Sequence, residues 1–599
     1  VGVSRPELSN AAIADALEEL GDLYELDGAI VHRVLAYRAA AKAVREASVS
    51  VAALARADRA TDLPGIGKTL QEKILALLDT GTIPSAEKLR AKFPPGLIAI
   101  TRLPGLGPKR ARLLHAELGI DSPETLRQAA LAERLRTVRG LGPKFEVSVL
   151  AALESGAAEQ AAPLLLLPRA IEIGQSLAVS LERQGGPGTH VQLAGSARRL
   201  TDSVKDLDLI ATTTRPAELA ESLIELDQIE SVSSAGSSGA RARTHSGVRV
   251  DLRIGQPAQF GNLLQHFTGS GAHNAALREA AVRRGLHVSE YGISDDASGL
   301  THTCETEQEV YGLLGLAYIE PELRENRGEL QAARLKHGAR APAPDGDGAG
   351  GGLPELIALG DIRGDLHSHT IASDGHNTIG EMARAARECG YEYLAITDHS
   401  ATHGFGNDVT PEELRRQIER VRAAGARLEG IELLAGSEVN ILPDGSLDYS
   451  DELLGELDWV IASVHTSFGM SEQAMTERMI TAIGHPLVNA IGHPTGRLIE
   501  RRAPYALDLQ AVFAAAAATG TMLEINANPD RRDLSEINAR AAARAGVLIV
   551  IDSDAHRTDT LQNMRWGVAT ARRAWLSRQE VANTRPLAEL RELGKQTGQ

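Results

Sequence analysis

At 599 residues the chain is too long for a single hydrophobic core and should hold several domains. Its 43% hydrophobic and 24% charged side chains are those of an ordinary soluble protein, and no apolar run nears the ~18 residues that would span a bilayer. A net charge of −16 excludes a uniformly basic surface, yet residues 1–155 sum to about +2 and 353–599 to about −11, so a local basic face stays available for nucleic acid. With Cys304 and Cys389 as the only cysteines there is no disulfide framework, and a cytoplasmic protein without a signal peptide is expected. Aromatics make up 3%, so aliphatic side chains and alanine must build the cores.

Residues 1–155 read as all helix and carry a repeat. Leu63-Pro64-Gly65-Ile66-Gly67-Lys68 returns as Leu103-Pro104-Gly105-Leu106-Gly107-Pro108-Lys109, and again as Arg139-Gly140-Leu141-Gly142-Pro143-Lys144. Paired glycines allow a tight turn and a close backbone approach. The N–H groups of the helix that follows then point at a phosphate, and the lysine adds charge without reading sequence. The copies resemble helix-hairpin-helix motifs, so Gly65, Gly67, Lys68, Gly105, Gly107, Lys109, Gly140, Gly142 and Lys144 are expected to bind the DNA backbone, with Lys73 on the helix after the first copy. Tyr37-Arg38 and Lys42 to Arg45 fit a DNA contact or a solvated helix face equally well.

Residues 160–335 hold an acidic constellation. A strand at 191–193 leads to Gly195-Ser196, then Arg199, then Asp206-Leu207-Asp208 inside a strand-like run at 204–211. Strand alternation puts Asp206 and Asp208 on one face. Asp251 lies in a further strand-like run at 248–252. Three such carboxylates repel one another unless divalent cations sit between them, as two-metal phosphoryl transfer requires. Gly195 and Ser196 would offer backbone and hydroxyl to a phosphate, and Arg199 a charged fork.

Residues 337–353 contain APAPDGDGAGGG and read as a flexible linker. Beyond it come seven short apolar runs, with helical patterns between several of them, at 379–389 and 411–428 for example. The runs end in turn at His367 and His369, with Asp374 just after; at Asp398-His399; at Glu438; at His465; at His493; at Asn526; and at Asp552, Asp554 and His556. This is the rhythm of a β/α barrel, with its chemistry at the C-terminal strand ends. His403 and His485 stand nearby and, with Asp552, could support the ligands from behind.

Gly195-Ser196-x-x-Arg199 with Asp206-x-Asp208 resembles the nucleotidyltransferase signature of family X DNA polymerases. Phe267-Thr268-Gly269-Ser270 resembles that family's element against the nucleotide sugar, followed by His273-Asn274 and Arg278. The tail resembles a PHP (polymerase and histidinol phosphatase) domain, which some bacterial and archaeal members carry. The resemblance implies a multidomain α and α/β protein. Residues 1–85 would be a small helical helix-hairpin-helix domain for DNA ends, and 86–160 a helical duplex grip. Residues 161–260 would be a mixed-sheet palm, 261–336 a thumb-like subdomain for the nascent base pair, and 354–599 a distorted PHP barrel.

By the same resemblance Asp206, Asp208 and Asp251 hold two Mg²⁺ or Mn²⁺ ions. Gly195, Ser196, Arg199, Phe267, Gly269 and Ser270 bind the dNTP, Asn274 touches its base, and Arg278 the template. His367, His369, Asp374, His399, Glu438, His465, His493, Asp554 and His556 bind up to three Zn²⁺ or Mn²⁺ ions. The implied function is gap-filling repair synthesis on gapped or nicked DNA by a monomer, with 3′→5′ removal of nucleotides by the barrel. Two departures stand out. His266 replaces the tyrosine that, with Phe267, helps exclude ribose. Lys73 aligns with the Schiff-base lysine of relatives that act as AP lyases but also fits a plain surface role. Two rivals stay open: a nucleotidyltransferase for a non-DNA acceptor joined to a small-molecule phosphatase, and a PHP barrel that is structural only.

Overall fold

The structure is a computed structural model that describes residues 8–101, 103, 105–154, 164–334, 352–402, 407 and 409–593. Pro104, His403, residues 155–163 around the expected domain limit at 160, and linker residues 337–351 lie outside these. The chain divides into two compact units, one made of residues up to 163 with 173–192 and 205–256, the other of 164–172, 193–204 and 257 onward.

In the first unit the N-terminal region is helical throughout, around a core from Ile13, Leu17 and Leu20 through Ile74 and Leu114 to Val149. The three repeats fold alike. Gly65, Gly105 and Gly140 take φ of +79°, +80° and +88°, a region side chains avoid. In each, the next residue (Ile66, Leu106, Leu141) turns into the core and its N–H closes the turn on Leu63, Leu103 or Val138 at 3.0–3.1 Å. Helices then start at Lys68, Pro108 and Pro143, leaving Lys68, Lys109 and Lys144 exposed. Lys73 is half-buried, and its Nζ donates to Ser85 Oγ at 3.1 Å.

The basic helix that sequence left between two roles is neutralised from within. Arg38 binds Asp22 and Glu25 at 2.8 and 2.6 Å, Arg45 binds Asp15 and Glu18 at 2.8 Å, and Tyr37 stacks on Tyr24. Arg38 and Arg45 therefore brace the helix pair.

The sheet of this unit runs His190–Leu193, Asp206–Thr212, Arg249–Gly255, Gly239–Thr244, Ile229–Gly236. It is mixed. The Asp206–Thr212 and Arg249–Gly255 strands are parallel, and the last two strands pair antiparallel.

The second unit contains a helical subdomain and the barrel. In the subdomain, helices Phe260–Thr268 and Gly271–Val282 precede a small antiparallel sheet, and Leu277, Ile293, Val310, Tyr311 and Ile319 share a core. The barrel has seven parallel strands in sequence order: Gly364–Asp365, Tyr393–Ile396, Glu432–Asn440, Trp459–Ser463, Ala490–Ile491, Met522–Asn526 and Ile549–Asp552. A bridge between Ser368 and Ala555 ties the first to the last. All seven apolar runs are therefore strands. Alternation sorts their side chains. Tyr393, Ala395, Ile461, Met522 and Val550 fill the interior with Leu587 and Leu590 of the last helix, while Leu394, Ile396, Leu523 and Ile551 pack outward under the helices. Among the described residues no helix is long and apolar enough to cross a membrane.

Candidate active sites

The acid row sits on the sheet of the first unit. Leu207, Leu209, Val250 and Leu252 are buried on one side, which leaves Asp206, Asp208 and Asp251 half-buried on the other. The parallel register sets Asp208 beside Asp251, and Asp206 beside Arg249. Arg249 contacts Asp206 at 3.2 Å, and Arg253 and Arg241 lie 3.1 and 3.6 Å from Asp251, offsetting part of the carboxylates' repulsion. Such a row of hard oxygen ligands suits Mg²⁺ or Mn²⁺.

The other polymerase candidates lie in the second unit. Gly195 and Ser196 open a one-turn helix, Gly195–Arg198. Arg198 binds Glu307 through both guanidinium nitrogens (2.9 and 2.7 Å) and Thr268 Oγ1 at 2.7 Å. Arg199 donates to Glu325 and to Thr268 O, each at 3.0 Å. Gly269 has no room for a side chain, because a Cβ would meet Asn274 Oδ1 at 2.4 Å. Asn274, expected to reach a base, here donates to His266 O at 2.6 Å and accepts from Gln265, stapling this turn. Ser270 caps the next helix at the N–H of His273, whose ring is buried between Glu329 and Tyr311. Phe267 stands edge-on to His266, with ring centres 5.0 Å apart, and Arg278 is exposed.

Barrel arginines grip the segment that follows. Arg573 donates to Arg199 O at 2.7 Å and to Glu325 at 3.0 Å. Arg532 donates to Leu200 O at 3.0 Å and pairs with Asp202, which also binds Arg497 at 2.8 Å.

All nine predicted barrel residues converge at the C-terminal strand ends. Ligand atoms of eight of them, all but His493, form three groups, each within 4.8 Å: His369, Asp374, His399 and His556; His367, His369 and Asp554; and His399, Glu438 and His465. Glu438 is the hub, 2.8–3.7 Å from nitrogens of His367, His369, His399, His465 and His493.

Buried charge makes this cluster polarised. Burial opposes ionisation of Glu438 and Asp554, but the surrounding histidines hold both carboxyls well below their ordinary range. Burial likewise opposes protonation of His367, yet Glu438, Glu524 and Asp554 hold its ring well above the usual value. Burial and the neighbouring His556 and His399 push His369 down to about 3. Among the described residues, His367 Nε2, both ring nitrogens of His369, and Glu438 Oε2 are buried without a hydrogen-bond partner. Orphaned donor atoms of this kind, in a mixed imidazole and carboxylate set, fit divalent metal ions.

Sequence reasoning missed Glu524. Its Oε1 meets His367 Nδ1 at 2.6 Å and its Oε2 takes the N–H of His493, so one carboxylate orients two candidate ligands. The signal was alternation: Met522, Glu524 and Asn526 share the inward face of one strand. Asn526 donates to Asp554 at 3.0 Å. Asp552 does stand behind the cluster, accepting the N–H of Leu366 at 2.8 Å. His485 does not, since it pairs with Asp451 at 3.2 Å. Asp398 takes four hydrogen bonds from Thr370, Ser373 and Gln417 and organises the loop. Glu524→Gln should lower nucleotide removal about 10–100-fold, the scale of lost ligand orientation, and weaken metal retention, read by metal analysis of the purified protein.

A mixed nucleotidyltransferase-like sheet, hairpin repeats and a histidine-rich barrel define a polymerase-type chain with a metal-dependent phosphoesterase module. The PHP domain family matches residues 365–528 and the DNA polymerase beta thumb family residues 263–325. A helix-hairpin-helix domain matches 8–83, and a SAM-like helix-hairpin-helix tandem 97–155. The DNA polymerase/3′-5′ exonuclease PolX of Bacillus subtilis is 38% identical over 581 residues, 96% of this chain and 97% of that one. The chain belongs to the PolX family, family X DNA polymerases with a C-terminal PHP domain. Probable phosphatases match the barrel region. That of Thermoanaerobacter sp. (strain X514) is 35% identical over 240 residues, 37% of this chain and 89% of the other. That of Syntrophotalea carbinolica is 30% identical over 244 residues, 39% and 96%.

Proposed function

We propose that the chain is a DNA-directed DNA polymerase that fills short gaps in gapped or nicked duplex DNA and removes 3′ nucleotides through its barrel. The near end-to-end likeness to a DNA polymerase/3′-5′ exonuclease carries this reading. Asp206, Asp208 and Asp251 would hold Mg²⁺ or Mn²⁺, which supply charge stabilisation for nucleotidyl transfer. Gly195, Ser196, Arg199, Phe267, Gly269 and Ser270 would bind the dNTP, with Asn274 toward its base and Arg278 toward the template. The barrel would hold up to three Zn²⁺ or Mn²⁺ ions, which supply Lewis-acid chemistry at a phosphodiester. Glu438 would anchor them, and Glu524 would set the rings of His367 and the backbone of His493. The domain limits are those read from sequence, the working form is a monomer, and the compartment is the cytoplasm. Primer extension and 3′ degradation on gapped DNA with Mg²⁺ or Mn²⁺ test the reading, and absence of extension with either metal sinks the polymerase half.

A second reading of the barrel is phosphomonoester hydrolysis, favoured by the phosphatases that match it. Relative turnover of a 3′-phosphorylated and a 3′-hydroxyl primer end separates the two.

The exposed repeat lysines should act on DNA through its backbone. Removing Lys68, Lys109 or Lys144 should weaken binding alike for any sequence and flatten the dependence of log K on log salt by about 1 each. Fluorescence anisotropy across a salt series reads this out, and an unchanged slope in all three variants would remove the hairpins from the interface.

A further inference from the structure

The loop after the Met522–Asn526 strand carries two adjacent arginines with different fates. Arg532 is fully buried and committed, donating to Thr570 Oγ1 and Leu200 O. Arg531 is not committed. Its side chain is 21% exposed, its Nε lies 3.7 Å from Asp554 Oδ2, and among the described residues its guanidinium donates no hydrogen bond. The other arginines of these loops are all engaged: Arg497 with Asp202, Arg501 with Asp530, and Arg502 with Gly496 O and over the Phe468 ring.

The backbone holds Arg531 in place. Asn528 O accepts the N–H groups of Arg531 and Arg532 at 2.8 and 3.0 Å, and Asn528 Oδ1 takes that of Asp530. Asp554 faces both ways. Its Oδ1 points to His369 and His367 at 3.2 and 3.6 Å, and its Oδ2 to Asn526 and Arg531. So a guanidinium with unused donors stands within one carboxylate of the candidate metal ligands, in a set of side chains otherwise built to bind cations.

We propose that Arg531 grips the phosphate of the barrel's substrate, donating from its free guanidinium edge to a non-bridging oxygen of the scissile phosphodiester. A phosphodiester is an anion, and a planar fork with several donors matches its oxygens. In hydrolysis a water oxygen forms the new bond to phosphorus, the P–O3′ bond breaks, and a proton ends on the departing 3′-oxygen. The nucleoside 5′-monophosphate released keeps the phosphate, and Arg531 would hold it too.

The inference rests on the phosphoesterase reading above, and the test separates the two. Full-length wild type, Arg531→Gln and Arg531→Lys are compared for metal content, for binding of thymidine 5′-monophosphate by calorimetry, and for 3′-nucleotide removal. Arg531→Gln should keep its metals and its primer extension, bind the monophosphate about 10²-fold more weakly, and lose about 10²-fold in nucleotide removal, the scale of one lost donor to reaction-centre charge. Arg531→Lys should fall between. Equal monophosphate affinity in wild type and Arg531→Gln overturns the proposal, and so does loss of metal from Arg531→Gln, which would make Arg531 a brace for Asp554. If wild type removes no 3′ nucleotide, the exonuclease reading fails, while the monophosphate affinities still decide the role of Arg531.

Discussion

Replacing Asp206 and Asp208 together with alanine should abolish primer extension by at least about 10³-fold, the scale on which losing charge stabilisation acts in phosphoryl transfer. The reason lies in the register: Asp206 and Asp208 share one sheet face, and Asp208 lies beside Asp251 on the parallel neighbour. Without them Asp251 is a lone carboxylate faced by Arg241 and Arg253 and offers a poor cation site. The strand itself should persist, because Leu207, Leu209 and Ile210 supply its burial. Degradation from the 3′ end should continue at the wild-type rate, because every candidate ligand of the barrel lies elsewhere in the chain. Both activities followed on one gapped substrate decide it. Extension that survives the double change would remove the acid row from the reaction, and loss of both activities would mean that the two chemistries share one centre.

The converse expectation concerns Glu438. Glu438→Gln keeps the shape but removes the charge that faces five histidines. His367 and His399 should then lose much of what holds their protonation above the ordinary range. As a ligand, Glu438 belongs to one candidate group, with His399 and His465, and lies 3.7 Å from His369, a member of the other two. The variant should therefore bind fewer metal ions per chain and lose at least about 10²-fold in nucleotide removal, more than an orienting group would cost. Primer extension should persist. A variant that keeps full metal content and full degradation would show that the cluster is not the hydrolytic centre. A variant that fails to fold would favour a barrel whose ions are structural.

Much of the site was legible in the sequence because strands print their ends. Each barrel strand is a short apolar run and the first polar residues after it lie at one edge, so the candidates could be gathered without coordinates, and the resemblance then singled out nine of them. Glu524 escaped because it lies inside such a run, where a single acid looks like an interruption until its inward neighbours Met522 and Asn526 are seen. Arg531 escaped for a different reason: it sits on a loop, where no period exists to aim a side chain. Arg38 and Arg45 were ambiguous because their partners, 13 to 30 residues earlier, become neighbours only when the two helices pack. The partners of the Asn274 amide, His266 and Gln265, could not be read from sequence either, since they meet it only in the turn between the two helices.

The hold of Arg497, Arg532 and Arg573 on Arg199, Leu200 and Asp202 bears on how this protein can be dissected. In chain order it reads as two enzymes joined by a tether, and an obvious experiment is to cut the tether and study each part alone. The contacts say otherwise. The barrel carries counter-charges for Asp202 and Glu325, and a part-buried carboxylate is costly to keep once its partner is taken away. A polymerase fragment lacking the barrel would begin life with Asp202 stripped of both arginines, Glu325 left to Arg199 alone, and the stretch after Ser196 unbuttressed. Weak synthesis by such a fragment would then report a missing wall, not a missing reaction. For this protein single substitutions, rather than deletions, are the cleaner means of assigning work to each half.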